Sequence, residues 1–116
     1  MDNSAATTDS SSNTYACDDT QDKVYLLSYQ DYMNTSYFAD SAARQCKTTD
    51  WARANGVLVS TDSSYLYNGR YWTRSPYSSY SDYAWYVYYD GVLSDYCFVY
   101  DSGGAVRPSL RIKVAQ

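Results

Sequence analysis

A chain of 116 residues has room for one domain and a modest core. Its net charge of −4, with no Lys or Arg between Ser75 and Val106, argues against a nucleic-acid partner. The longest apolar runs are far below a bilayer span, so no membrane insertion is expected, and no signal peptide is visible after Met1.

Residues 1–22 are rich in Ser, Thr, Asn and Asp without a period, and read as a polar arm or loop before a domain spanning 23–116. "KVYLLSY" (23–29) is a short β-prone run. The segment from Gln30 to Lys47 leans to helix, interrupted at "NTS" (34–36). "TTDWARANG" (48–56) predicts a short helix, with Thr48 or Thr49 as N-cap, Asp50 in the first turn and Gly56 past the end. From Val57 onward the signals turn to strands. Asn68-Gly69 predicts a hairpin leading into "RYWTRS", a loop covers 76–82, and strands at 83–89 and 92–100 flank a second turn at Asp90-Gly91. The last segment alternates, with Val106, Pro108, Leu110, Ile112 and Val114 opposite Arg107, Ser109, Arg111 and Lys113, and predicts a final strand with its apolar face inward. Pro108 belongs at an edge or an irregular position. The fold class that follows is α+β, with short helices and then an antiparallel, hairpin-rich sheet.

Aliphatic core material is thin. Of the residues counted as apolar, Tyr supplies 16 and Phe only 2, so tyrosine must stand in for part of the core. The chemistry of catalysis is thinner still. With no histidine, the commonest general base and metal ligand is missing. Cys17, Cys46 and Cys97 show no CxxC spacing, so no zinc site, other metal or cofactor is expected. They read as buried thiols, or as one disulfide with a spare thiol. The pair Asp18-Asp19 sits in a polar stretch where a solvated loop is the default. The chain does not read as an enzyme.

"YWTRSP" (71–76) and "AVRPSL" (105–110), with "VYLLSYQD" (24–31), "ARQCKTTDWARANG" (43–56) and the "DG" at 90–91, form an ordered set over residues 15–112. The set resembles a bacterial and phage domain family of unassigned function, whose members read W-x-R-S-P and, later, G-V-R-P-A-L. That resemblance implies a C-type-lectin-like fold of the formylglycine-generating-enzyme type. It also implies kinship with the variable proteins of diversity-generating retroelements, in which adenine-directed mutagenesis scatters Tyr, Ser, Asp and Asn over a ligand-binding face. Ala105 and Ser109 stand where the family has Gly and Ala. The catalytic cysteine pair of the formylglycine-generating enzymes and the calcium motifs of animal lectins have no counterpart, so the fold is implied without the chemistry. Family members carry an upstream portion of the domain, so the resemblance implies that this chain starts after it, and the location implied is a phage virion or a bacterial surface.

Residues 77–101, "YSSYSDYAWYVYYDGVLSDYCFVYD", are the candidate site. Tyrosine offers large contact area with few torsions to freeze and a hydroxyl that donates or accepts, while Ser and Asp add short adaptable contacts. The candidate contact residues for a protein or glycan ligand are Tyr77, Ser79, Tyr80, Asp82, Tyr83, Tyr86, Tyr88, Asp95, Tyr96, Phe98 and Tyr100. Some of these rings are expected to serve the scaffold instead. Ala84 and Val87 fall on the family's small and apolar positions but are three apart, so a bulge or twist must intervene. Trp85 is not reachable by adenine mutagenesis of an Asn codon, which leaves it as scaffold or as evidence against diversification. Trp72, Arg74 and Arg107 lie inside the motifs and read as structural, the two guanidinium groups tying loops to the scaffold. A static carbohydrate-binding module and an assembly subunit with Tyr-rich interfaces are the competing readings.

Overall fold

The computed structural model describes residues 1–3, 18–95 and 98–113. Tyr96, Cys17, Cys97 and Val114, together with most of the expected polar arm, lie outside the described residues. Three short helices precede three strands: α1 (Tyr29–Met33), α2 (Ser41–Arg44), α3 (Asp50–Ala54), β1 (Tyr71–Pro76), β2 (Ala84–Val87) and β3 (Leu93–Ser94). The strands form an antiparallel sheet in the order β1-β2-β3, so the fold is a small α+β domain.

Each helix is too short to persist alone and is started by its cap. Ser28 and Asp31 close a reciprocal capping box at α1, with Ser28 Oγ accepting from the Asp31 N–H at 3.1 Å and Asp31 accepting from the Ser28 N–H at 2.9 Å. Asp40 caps α2, and Thr49 caps α3 as the sequence predicts. Gly56, at φ 91°, follows α3 in the left-handed conformation.

The turn between β2 and β3 also forms where Asp90-Gly91 predicts it. The Gly91 N–H bonds the Tyr88 carbonyl at 2.9 Å, and Gly91 adopts φ 88°. A Cβ there would overlap the Ser41 carbonyl at the start of α2, so glycine is required twice over. Between Trp72 and Pro76 the register of β1 against β2 shifts. The bulge expected near Ala84 and Val87 therefore lies across from them. Its backbone is satisfied from outside the ladder. Thr73 Oγ1 donates to the Trp85 carbonyl at 2.8 Å, the Arg74 N–H bonds the Leu27 carbonyl at 3.1 Å, and Ser75 Oγ accepts from the Tyr29 N–H at 2.9 Å.

Tyr32, Tyr71 and Val87 form the core, with Leu27, Phe38, Cys46, Leu93 and Ala105 packed around them. Tyrosine does replace missing aliphatic material, and buried polar residues complete the packing. Asn68 is one of these. Its side-chain amide donates to the Tyr89 carbonyl at 3.0 Å and to Gln45 Oε1 at 3.3 Å.

Several expected elements differ. Asn68-Gly69 is not a hairpin turn: both residues are buried, and the positive φ belongs to Tyr67, at 65°. The chain reverses earlier, between Ser60 and Tyr67, which exchange a backbone bond of 3.1 Å. "KVYLLSY" makes one bridge, Tyr25 with Ser109, rather than a strand. The expected strands 83–89 and 92–100 shorten to β2 and β3, and Tyr83 and Phe98 meet as an isolated bridge.

The largest correction concerns the last segment. Alternation survives, but the faces are exchanged. Val106 and Leu110 are 67% and 57% exposed, while Arg107 and Ser109 turn inward. A period of two marks two faces without saying which is covered, and a one-residue shift swaps them. Here the guanidinium of Arg107 wins the inner position by bonding the Tyr71 hydroxyl at 3.0 Å and the Arg44 carbonyl at 3.4 Å.

Candidate functional site

The candidate region begins where β1 ends. Beyond Pro76 the Tyr77 N–H bonds the Tyr83 carbonyl at 3.1 Å, and the Tyr83 N–H bonds the Tyr80 carbonyl at 3.1 Å, making a tight loop. The Val99 N–H reaches back to the Asp82 carbonyl at 2.8 Å and brings Phe98 beside Tyr83.

A run of ring contacts results. Trp85 is buried, at 8% exposure, and meets Tyr29 edge-on with centroids 4.7 Å apart. Tyr77 packs edge-on against Trp85 at 5.8 Å. Tyr77 then stacks with Tyr80 at 6.0 Å and with Tyr83 at 6.4 Å. Tyr83 meets Phe98 edge-on at 4.6 Å, and Phe98 stacks on Tyr100 at 4.9 Å with 18° between planes. Exposure rises along this path, from buried Trp85 through half-buried Tyr77 and Tyr83 to Tyr80 at 57% and Tyr100 at 71%. Such offset and edge-on pairs contribute about 0.5–1.5 kcal/mol beyond area burial, enough to hold exposed rings in defined positions.

Of the candidate contact residues, the fold brings together Tyr77, Tyr80, Tyr83, Phe98 and Tyr100. Ser79 and Asp82 are exposed in the same loop, and Asp95 is half-buried after β3. Tyr86 and Tyr88 belong to a second group. Tyr86 is 7% exposed, packed edge-on against Trp72 at 6.3 Å with the Arg70 guanidinium over its ring at 5.9 Å. It is thus corrected from contact residue to scaffold. Tyr88, 41% exposed, packs on Tyr89 at 4.6 Å. Tyr29 went unnoticed as an anchor because its role depends on α1 docking against β2, a contact with no local signal.

The motif residues all make contacts within the fold. Gly104 lies so close to the Trp72 indole that any Cβ would collide with it. Arg74 pairs with Asp31 at 2.9 Å and donates to the Leu26 carbonyl at 3.1 Å, the Asp2 carbonyl at 3.1 Å and Asn3 Oδ1 at 3.1 Å, pinning residues 1–3 to the sheet. Arg107 lies between the rings of Phe38, at 5.7 Å, and Tyr71, at 5.4 Å.

Burial pushes the phenols of Tyr32 and Tyr71 up from the ordinary tyrosine range; the nearby Arg107 charge opposes the shift in both without reversing it. Tyr89 is pushed up for the same first cause, with Arg70 opposing. Cys46 is a half-buried free thiol whose Sγ lies 3.6 Å from the Lys47 carbonyl oxygen. Among the described residues no group of three Cys, Asp or Glu side chains converges as a cation site, and no helix is long and apolar enough to cross a membrane.

A separate groove of about 560 Å³ opens between α3 and residues 102–108, with Trp51 and Val106 in its lining. Its sequence signal was Trp51, whose indole has no place in a core when the helix carrying it is so short and polar.

No curated protein and no solved structure matches the chain. The family model described as "Domain of unknown function (DUF6273)" matches residues 1–114, and the chain belongs to that family.

Proposed function

We propose that this domain recognises a ligand through the aromatic ladder of Tyr77, Tyr80, Tyr83, Phe98 and Tyr100, with Ser79 and Asp82 in the same loop; Tyr88, Asp95 and Tyr96 are further candidates from the same stretch of sequence. The observation that carries this reading is the gradient along the ladder: rings anchored at buried Trp85 run outward to Tyr80 and Tyr100, which are 57% and 71% exposed. A ring held in place by its neighbours loses little freedom when a partner covers it, so its area converts to affinity efficiently. The motif resemblance supports a C-type-lectin-like fold and a diversified surface, displayed on a phage virion or a bacterial cell, with a protein or glycan as the target. Burial of Trp85 sits well with this, since an invariant tryptophan is expected in the scaffold. We take the domain to be a binding module and not an enzyme, because a chain without histidine lacks the usual proton carrier.

The stacked pair Phe98 and Tyr100, with 18° between planes, favours a second reading, a fixed carbohydrate-binding module in which the exposed Tyr100 ring, backed by Phe98, offers its outer face to a sugar. Two experiments separate them. In a diversified protein, the serine codons for Ser78, Ser79, Ser81 and Ser94 end in a pyrimidine, and sibling loci differ at ladder positions while Trp85 stays constant. On a glycan array, a fixed module shows one narrow preference shared by siblings. In either case the double variant Tyr80→Ala/Tyr100→Ala loses binding by about 2 kcal/mol or more while thermal stability shifts by at most about 1 kcal/mol. Unchanged binding in that variant would falsify the ladder as the contact surface.

A further inference from the structure

We propose that the groove between α3 and residues 102–108 is a second binding site, taking a small carboxylate with an apolar body. Its volume, about 560 Å³, falls within the ordinary range for small-molecule pockets. The apolar side chains of Trp51, Val57, Val106 and Pro108 line it, and Trp51 is 75% exposed.

Charge selects the ligand class. The chain carries −4, yet among the described residues no carboxylate lines this groove; the charged ones there are Lys47 and Arg107. Arg53, Arg70 and Arg74 each pair with an aspartate, at Asp50, Asp101 and Asp31. Arg107 is half-buried and has no carboxylate partner among the described residues. It meets only neutral oxygens, through one nitrogen, at the Tyr71 hydroxyl and the Arg44 carbonyl. A partly desolvated cation without a counter-ion gains when an anion arrives, and a guanidinium fork matches the plane of a carboxylate.

The threonine hydroxyls of the groove already take part in the fold. Thr48 Oγ1 already donates to the Tyr67 carbonyl at 2.9 Å and accepts from Arg53 at 3.1 Å. Thr49 Oγ1 is occupied by the Ala52 N–H at 3.1 Å. Lys47 and Arg107 beside the Trp51 indole suit a planar anion whose apolar body lies along that ring.

The probe is 3-phenylpropionate, compared with its neutral amide by calorimetric titration into the full chain and by the shift of the Trp51 indole N–H signal. We expect the acid to bind in the millimolar range or tighter, to move that signal, and to bind about tenfold more tightly than the amide. Val106→Asp tests the charge without disturbing the core, since Val106 is 67% exposed. Relative to the neutral isostere Val106→Asn, it is expected to weaken the acid about tenfold and leave the amide within about twofold. Arg107→Lys, if it folds, is expected to weaken the acid as well by removing the fork. Equal affinity for acid and amide, no response at millimolar acid, or acid binding unchanged in Val106→Asp each overturns the proposal.

Discussion

Tyr71 and Tyr100 are the same side chain put to opposite uses. Tyr71 is 2% exposed, its hydroxyl donating to the Arg44 carbonyl and accepting from Arg107. Tyr100 is 71% exposed and held by stacking on Phe98. A phenol is tolerated in the core where a polar partner meets its hydroxyl, and it becomes a contact surface where ring neighbours hold it out in water. The core end of the domain is stapled by arginine, through Arg74 and Arg107, whereas the ladder end has no cation between Ser75 and Val106. That division gives the two ends different sensitivities.

The largest expected effect is at the core. Tyr71→Ala removes a buried ring and strands Arg107, and is expected to cost about 3–5 kcal/mol, enough to unfold most of the population in a denaturant titration. Next comes Arg74→Met, which leaves Asp31 without its cation and frees residues 1–3 from the sheet. Because both partners are partly solvated, with side chains 16% and 29% exposed, we expect about 2 kcal/mol, seen as a lower denaturation midpoint.

Alkali should act at the same end. The folded chain holds the protons of Tyr32 and Tyr71 more tightly than the unfolded chain does, because burial raises both phenols. Their contribution is therefore complete below the unfolded tyrosine value of about 10 and declines as pH rises above it. Unfolding monitored by circular dichroism is expected to set in above pH 10 or so, together with a late step in phenolate absorbance. A chain whose stability stayed flat through that range would contradict the burial of these two rings.

The smallest effect has the opposite sign. The Tyr32 hydroxyl is buried without a hydrogen-bond partner among the described residues. Tyr32→Phe removes an unsatisfied polar group and is expected to be neutral or to stabilise by up to about 1 kcal/mol, whereas Tyr71→Phe destabilises by about 1–2 kcal/mol. A matching loss from both variants would show that the two phenols are not distinguished by their partners.

Local chemistry made much of the chain legible in advance. Thr49, Asp50 and Gly56 bracket α3 because caps are satisfied within a few residues, and Asp90-Gly91 turns the β2–β3 hairpin because Gly91 alone meets its positive φ. The strand read at "RYWTRS" is β1, displaced by one residue at each end, so that Pro76 belongs to the strand. Which tyrosines lie inside was not legible: ring size and alternation are the same for Tyr86 and Tyr88, and only Trp72, Arg70 and the end of the sheet distinguish them. The inversion of residues 105–110 has the same origin. Strand periodicity names two faces, but the inner one is whichever meets the larger free-energy gain across the fold, and here that gain came from Arg107 reaching the Tyr71 hydroxyl.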